Sequence, residues 1–335
     1  MKKKNNNLKD TDFVQLSTRL RASLGSFSHT DRVQKAIDGA TSPSALASAL
    51  RSILMQDVSV PESAGLDGMC DAYLAYTVET VQANSPVPGL YDSLLLKFDA
   101  ANLKLAIKAA LRGEGEPELF PYGTLDGDVV LRAARENDFS ALPAGLREGC
   151  ENAVASYNAS ADAMSVDLAI DRGCFADMSE AAKKSGVPLL VKLCEFDADS
   201  ANVTAFARIA ALSLAPEAKR ELFGRAFVCG GQIWEEKFPR SEVTFEALED
   251  ALGSSYLGTA IHAASDAPDR VAALETALRR KRSSLCDGVK FVPFGGEVPA
   301  AFIVEREAEV RAFALAAAYM RRGATQNEIR TALGR

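Results

Sequence analysis

One signature recurs at long intervals in this 335-residue chain and limits the fold more than any other feature. Asp12-x-x-Gln15-Leu16 is followed by Arg21, Asp99-x-x-Asn102-Leu103 by Lys108, and Asp199-x-x-Asn202-Val203 by Arg208. A weaker fourth copy, Glu309-x-x-Ala312-Phe313, lacks both the amide and the later base. The acids are 87, 100 and 110 residues apart. A leucine pair keeps step with them: Leu46 and Leu50, then Leu142 and Leu146, then Leu248 and Leu252. Two independent markers in register identify a repeat architecture, in which each unit is one supersecondary element that buries its apolar face on its neighbours.

The repeated unit is helical. Ala, Leu, Lys, Arg and Glu are abundant, and these are strong helix formers. Leu94, Leu95, Phe98, Leu103, Ile107 and Leu111 recur at helical spacing, which predicts one uninterrupted helix over Asp92 to Arg112 with Gly113 as its stop. Glu305 to Arg322 follows the same pattern and is closed by Gly323. Shorter helices are announced by caps: Ser42-Pro43 before Ser44 to Met55, Asp126 before Val129 to Arg135, and Thr244 before Glu246 to Leu252. Proline and glycine place loops at 85–89, 113–123, 186–188 and 293–299. The one candidate extended piece is Val289 to Val292. The expected fold is therefore all-α: unit 1 over 9–98, unit 2 over 99–198, unit 3 over 199–308, and closing helices over 309–335. A last long helix packed beside the first would close the three units into a ring.

Asp and Asn are weak helix formers, so their recurrence within long helices needs a cause. Residues at i, i+3 and i+4 share a face, which places Asp99 with Asn102 and Asp199 with Asn202. Lys108 and Arg208, nine residues after the acid, point about 180° away at roughly 100° per residue. Acid and base therefore belong to different contacts. Two roles are open for Asp99, Asn102, Asp199, Asn202 and Glu309: polar contacts to helix ends and loops between repeats, or a polar concave surface that grips a partner.

Composition narrows the chemistry. With 38 basic against 45 acidic residues the net charge is −7, which disfavours nucleic acid and anionic lipid as unaided partners. His29 and His262 are the only histidines, and the six cysteines form no C-x-x-C pair, so zinc, haem and dithiol redox motifs are missing. Cys70, Cys174, Cys194 and Cys229 lie in apolar or helical contexts and are expected to be buried. There is no P-loop, no catalytic triad pattern and no dinucleotide fingerprint; Gly230-Gly231 marks a tight turn. Trp234 is expected to pack an arm helix, and Glu235-Glu236 and the Asp197/Asp199 pair to be solvated charges. No apolar run is long enough to span a bilayer, and the lysine- and asparagine-rich start, including Lys2, Lys3 and Lys4, has no apolar segment of a secretory signal. These features predict a cytoplasmic protein without catalytic site, cofactor, metal or small-molecule substrate.

Several stretches resemble the C-type stalk component of bacterial and archaeal V/A-type rotary ATPases, the counterpart of the d component of eukaryotic V-ATPases. FDAANLKLAIKAALRG (98–113) is similar to the family's long-helix motif, LAIDRGCFADM (168–178) to its return helix, DSANVTAFARIA (199–210) to the next long helix, and AFVCGGQI (226–233) to its Gly-Gly turn. The most specific stretch is 292–333, which joins a Pro-Phe-Gly turn, an Arg-Glu-x-Glu-Val-Arg helix and a terminal Glu-Ile-Arg helix. Ala312 and Ala314 stand where the family more often carries asparagine and a base. The resemblance implies a funnel-like, pseudo-threefold all-α protein. It also implies a non-catalytic central-stalk protein on the cytoplasmic face of the membrane, a socket between the central rotor stalk subunits and the membrane proteolipid ring. Two readings from other classes are an open helical-repeat scaffold that binds proteins elsewhere, and an all-α enzyme using Cys and His.

Overall fold

The computed structural model describes residues 8–23, 30–54, 58–60, 64–239 and 241–334. Among the described residues there are fifteen α-helices and no strand. Lys2, Lys3, Lys4, His29, Met55 and Gln56 lie outside the described residues. The chain divides into two compact units: residues up to Gly89 with Ser283 to the C-terminus, and Leu90–Arg282 between them.

The first unit contains α1 (Val14–Ser23), α2 (Thr30–Gly39), α3 (Pro43–Leu54) and α4 (Leu66–Asn84) from the N-terminal part. The second contains α5 (Asp92–Arg112), α6 (Gly127–Glu136), α7 (Ala144–Ser160), α8 (Ala163–Ser185), α9 (Pro188–Ala210), α10 (Pro216–Ala226), α11 (Phe245–Leu252), α12 (Gly258–Ser265) and α13 (Arg270–Ser284). The chain then returns to the first unit with α14 (Glu297–Arg321) and α15 (Gln326–Ala332).

The long helix predicted over Asp92 to Arg112 is α5, and Gly113 ends it in the left-handed conformation with φ 66°. That region excludes most side chains, which is why glycine serves there. Asp126 caps α6 by accepting the Asp128 N–H, and Thr244 caps α11 by accepting the Ala247 N–H. The in-register leucines Leu46, Leu50, Leu142, Leu146, Leu248 and Leu252 are all buried. Two expectations need correction. The last long helix begins at Glu297, eight residues before the expected start, and takes in Pro299. Proline is tolerated in a first turn because the N–H it lacks has no partner within the helix there. Val289 to Val292 is not extended: Asp287–Phe291 forms a 3-10 turn.

In the first unit α14 is the central element. It packs against α1, α2, α3, α4 and α15, and buries Val298, Phe302, Ile303 and Phe313. Arg21 donates to the Val292 carbonyl at 2.5 Å, so the N-terminal segment is tied to the stretch that leads into α14. At the other end Gln326 donates to the Ala40 carbonyl at 2.8 Å and Arg330 reaches Asp38 at 2.9 Å. The first and last helices of the chain thus belong to one packed body.

The second unit has its tightest packing between α7 and α8. An added Cβ at Gly173 would overlap the Gly145 carbonyl oxygen, and one at Gly149 would come within 2.8 Å of the Ala169 carbonyl oxygen. The two helices therefore meet backbone to backbone. Asp177 on α8 fixes the start of α7 by accepting the N–H groups of Gly145 and Leu146 at 2.8 and 2.7 Å. Beside α9 a cluster of Phe206, Phe223, Phe227 and Phe238 packs with ring centroids 4.9 to 6.0 Å apart.

Gly173→Ala is expected to force the α7–α8 backbones apart and cost about 1–3 kcal/mol, the usual penalty of overpacking a close contact. Thermal unfolding followed by circular dichroism checks this, with Gly39→Ala, where an added Cβ meets nothing within 4 Å, as the control.

Candidate functional site

The repeated acid and amide sit at equivalent places on α5 and α9. Asp99, Asn102, Asp199 and Asn202 are 1%, 3%, 0% and 1% exposed, and each is occupied by a loop further along the same copy of the repeat. Asp99 accepts the Thr124 N–H at 2.9 Å, the Leu125 N–H at 3.0 Å and the Thr124 hydroxyl at 2.7 Å. Asp199 accepts the Gln232 N–H at 2.9 Å, the Ile233 N–H at 3.0 Å and the Tyr256 hydroxyl at 2.7 Å. The amides are used twice each. Asn102 accepts the Phe120 N–H at 2.9 Å and donates to the Phe120 carbonyl at 3.1 Å. Asn202 accepts the Val228 N–H at 2.8 Å and donates to the Val228 carbonyl at 2.9 Å.

The motif is thus a loop clamp. The carboxylate takes two consecutive N–H groups, and the amide one turn later imitates a strand partner for a residue a few positions upstream. A loop crossing the buried side of a helix needs such partners, because unpaired main-chain groups away from water are costly. The geometry also explains the glycines. A Cβ at Gly123 or Gly231 would overlap Asp99 Oδ1 or Asp199 Oδ1 respectively, so the loop reaches the carboxylate only where the side chain is absent. Burial pushes the Asp99 carboxyl up to about 6, while the bonds from Thr124 and Leu125 pull it down. Burial likewise raises Asp199, against the Tyr256, Ile233 and Gln232 donors.

The bases nine residues after each acid face other helices. Lys108 pairs with Asp167 of α8 at 2.5 Å, and Arg208 pairs with Glu275 of α13 at 2.6 Å. Lys104 reaches Asp171 of α8 at 2.5 Å, and both this bond and the Arg208–Glu275 bond span 67 residues of sequence. Acid on one face and base on the other hold a loop and a return helix to the same long helix in both copies.

The outer copies depart from this pattern. Asp12 is exposed and only caps its own turn, accepting the Lys9 N–H at 2.9 Å. Glu309 is 6% exposed and, with Ala312 in the amide position, pairs with Arg306 of the same helix at 3.0 Å. Arg306 is 0% exposed, donates to the Tyr73 hydroxyl of α4 at 3.2 Å and lies over the Phe302 ring at 5.2 Å. A buried guanidinium persists only when ringed by such partners. The neighbouring Glu305 is raised to about 7 by burial, with Arg306 lowering it and Asp287 raising it.

Three further expectations are corrected. Asp197 and Asp199 are not ordinary solvated charges: Asp197 takes both nitrogens of a half-buried Arg282 fork at 2.7 and 3.0 Å, and Asp199 is inaccessible. Cys229 is exposed, whereas Cys70, Cys150, Cys174, Cys194 and Cys286 are buried. Trp234 packs no arm helix and is 73% exposed. Its sequence neighbour Phe238 supplies the buried ring instead, and nothing in a hydropathy pattern separates the two.

His262 bonds Glu249 at 2.7 Å and the Gly253 carbonyl at 3.2 Å, with no thiol among these partners. Burial pushes the Cys70, Cys150 and Cys194 thiols up to about 12, which holds them protonated and unreactive at neutral pH. Among the described residues no cluster of His, Cys, Asp and Glu could hold a metal ion, and no helix is long and apolar enough to cross a membrane.

Two variants test this description. Asp199→Ala leaves the Gln232 and Ile233 N–H groups without their acceptor in a buried place and is expected to cost about 2–4 kcal/mol, more than Asp12→Ala; chemical denaturation with both variants checks it. Glu305 titrates in the fold well above its ordinary 4.5, so the protonated form favours the folded state. Its contribution is complete below pH 4.5 and is lost as pH rises through about 7. Glu305→Gln is therefore expected to unfold at higher denaturant than the parent at pH 8 and at nearly the same concentration at pH 4.5.

No curated protein sequence matches the chain. The sequence profile of the ATP synthase (C/AC39) subunit family, by contrast, matches residues 18–331, which takes in most of both units and the second, third and fourth copies of the signature. The chain belongs to the ATP synthase (C/AC39) subunit family, that of the C-type component of V/A-type ATP synthases and its eukaryotic d-type counterpart.

Proposed function

We propose that this protein is a non-catalytic central-stalk component of a V/A-type rotary ATPase, a socket that couples the central rotor stalk to the membrane proteolipid ring. The family match over residues 18–331 carries the reading. Two structural features support it. The buried acids, amides and thiols are spent on holding loops and helices, as suits a part whose output is shape rather than turnover. The short first helix of the first unit, α1, packs against its long helix α14, as a closed arrangement of repeats requires and an open solenoid does not. The three units over 9–98, 99–198 and 199–308 would then surround an axis on the cytoplasmic face of the membrane, with the closing helices of 309–335 completing the set. The acidic charge of −7 suits partners with basic tips or loops, and makes the association salt-sensitive.

Purification of the ATPase from membranes at low salt is expected to bring this chain down with stalk and ring proteins. Raising the salt is expected to release it. An intact, coupled ATPase that lacks the chain, with the chain found only free in the cytosol, would sink the proposal.

A further inference from the structure

We propose that Trp234 anchors a protein-docking surface on the Leu90–Arg282 unit, fitted to a partner segment that carries basic side chains around an apolar one. The indole is the only one in the chain and is 73% exposed. Tryptophan has a large apolar surface, and leaving it in water forfeits the gain of burial. Nor is it overflow from a full core. The neighbouring rings of Phe223 and Phe238 are 6% and 3% exposed, so aromatic packing is satisfied without it.

The backbone that carries the indole is held on both sides. Before it, Asp199 fixes the N–H groups of Gln232 and Ile233 and Asn202 fixes Val228. After it, the Lys237 N–H closes a turn on the Trp234 carbonyl at 3.0 Å. An exposed aromatic on a fixed backbone is prepared for binding, because little freedom remains to be lost. Tryptophan is also the side chain most enriched at the energetic centres of interfaces. The sister copy gives the contrast. There the residue after the clamped pair Thr124-Leu125 is Asp126, which caps α6. The same scaffold position serves helix capping in one copy and displays an indole in the other.

The surroundings state the partner's chemistry. A cavity of about 200 Å³ is lined by Phe223, Phe238, Pro239 and Val243, by Arg220, and by Glu235, the residue that follows Trp234. It admits one apolar side chain. Glu236 and Glu242 are exposed, and neither they nor Glu235 makes an ion pair among the described residues. Arg220 is engaged by Glu217 at 3.0 Å and Lys237 is exposed beside Glu236, so among the described residues of this stretch the three acids outnumber the base that remains. A basic segment with one apolar residue complements that surface. The inference stands on the second unit alone and does not depend on which assembly the chain joins.

Rapid oxidative footprinting reads indole exposure directly. Trp234 oxidation, followed by mass spectrometry of its peptide, is measured in the purified chain and in intact cells. The expected result is oxidation slowed about tenfold in cells, together with about tenfold weaker retention of the bound partner for Trp234→Ala. Retention should be partly kept by Trp234→Phe, and Glu235→Gln with Glu236→Gln should weaken the salt dependence. All variants should melt with the parent, since the side chains are at the surface. Equal oxidation inside and outside cells, or unchanged retention of Trp234→Ala, overturns the proposal. So does protection that appears merely on concentrating the purified chain, which would make the occupant a second copy. Protection in cells without copurifying ATPase proteins would uphold this surface and overturn the function proposed above.

Discussion

A carboxylate hidden under a loop is the constraint on which the second unit depends. Asp99 and Asp199 are placed mid-helix, where propensity is against them, and are shielded from water, where solvation is against them. Both costs are offset because each oxygen pair accepts two main-chain N–H groups and a hydroxyl. The loop in turn can lie against the helix only because the carboxylate and the amide complete its main-chain bonding. Neither partner is tenable alone, so the motif and the loop are specified together. The glycines at 123 and 231, the hydroxyls of Thr124 and Tyr256, and the amide one turn on are all consequences of that contact.

This interdependence explains what could be read from the chain in one dimension. The long helix of α5, its glycine stop, the caps at Asp126 and Thr244 and the buried leucine pairs were all legible, because each rests on near neighbours in sequence. The Asp-x-x-Asn recurrence was visible as a pattern, and the opposed direction of the later base was legible from helical phase. The occupants of those side chains were not, because the Thr124, Phe120, Gln232 and Val228 backbones lie 18 to 33 residues away. Pro299 misled by its usual role as a breaker, although a first turn accepts it. Cys229 and Trp234 misled because composition assigns a residue type its average burial, while a clamped turn can display any side chain it carries.

The first unit reaches a comparable outcome by a different route. Its copies of the signature lack the amide or the burial: Asp12 caps its own turn, and Glu309 pairs with Arg306. Order comes instead from a fully buried guanidinium, Arg306, held by Tyr73, Glu309 and the face of Phe302, and from the tie of Arg21 to Val292. A hydrogen-bonded loop and a buried cation are alternative ways to make a helix face polar without exposing it. Both depend on polar partners, because a buried polar group left without them is costly.

The glycine contact between α7 and α8 has a mechanical consequence. Most helix pairs touch through side chains, whose rotamers can give way under load. Here peptide groups abut directly at Gly145, Gly149 and Gly173, and Asp177 pins the end of one helix to the flank of the other. Sliding α8 along α7 would drive carbonyl oxygens into main-chain atoms within a fraction of a turn. The pair therefore resists shear in the way a keyed joint does.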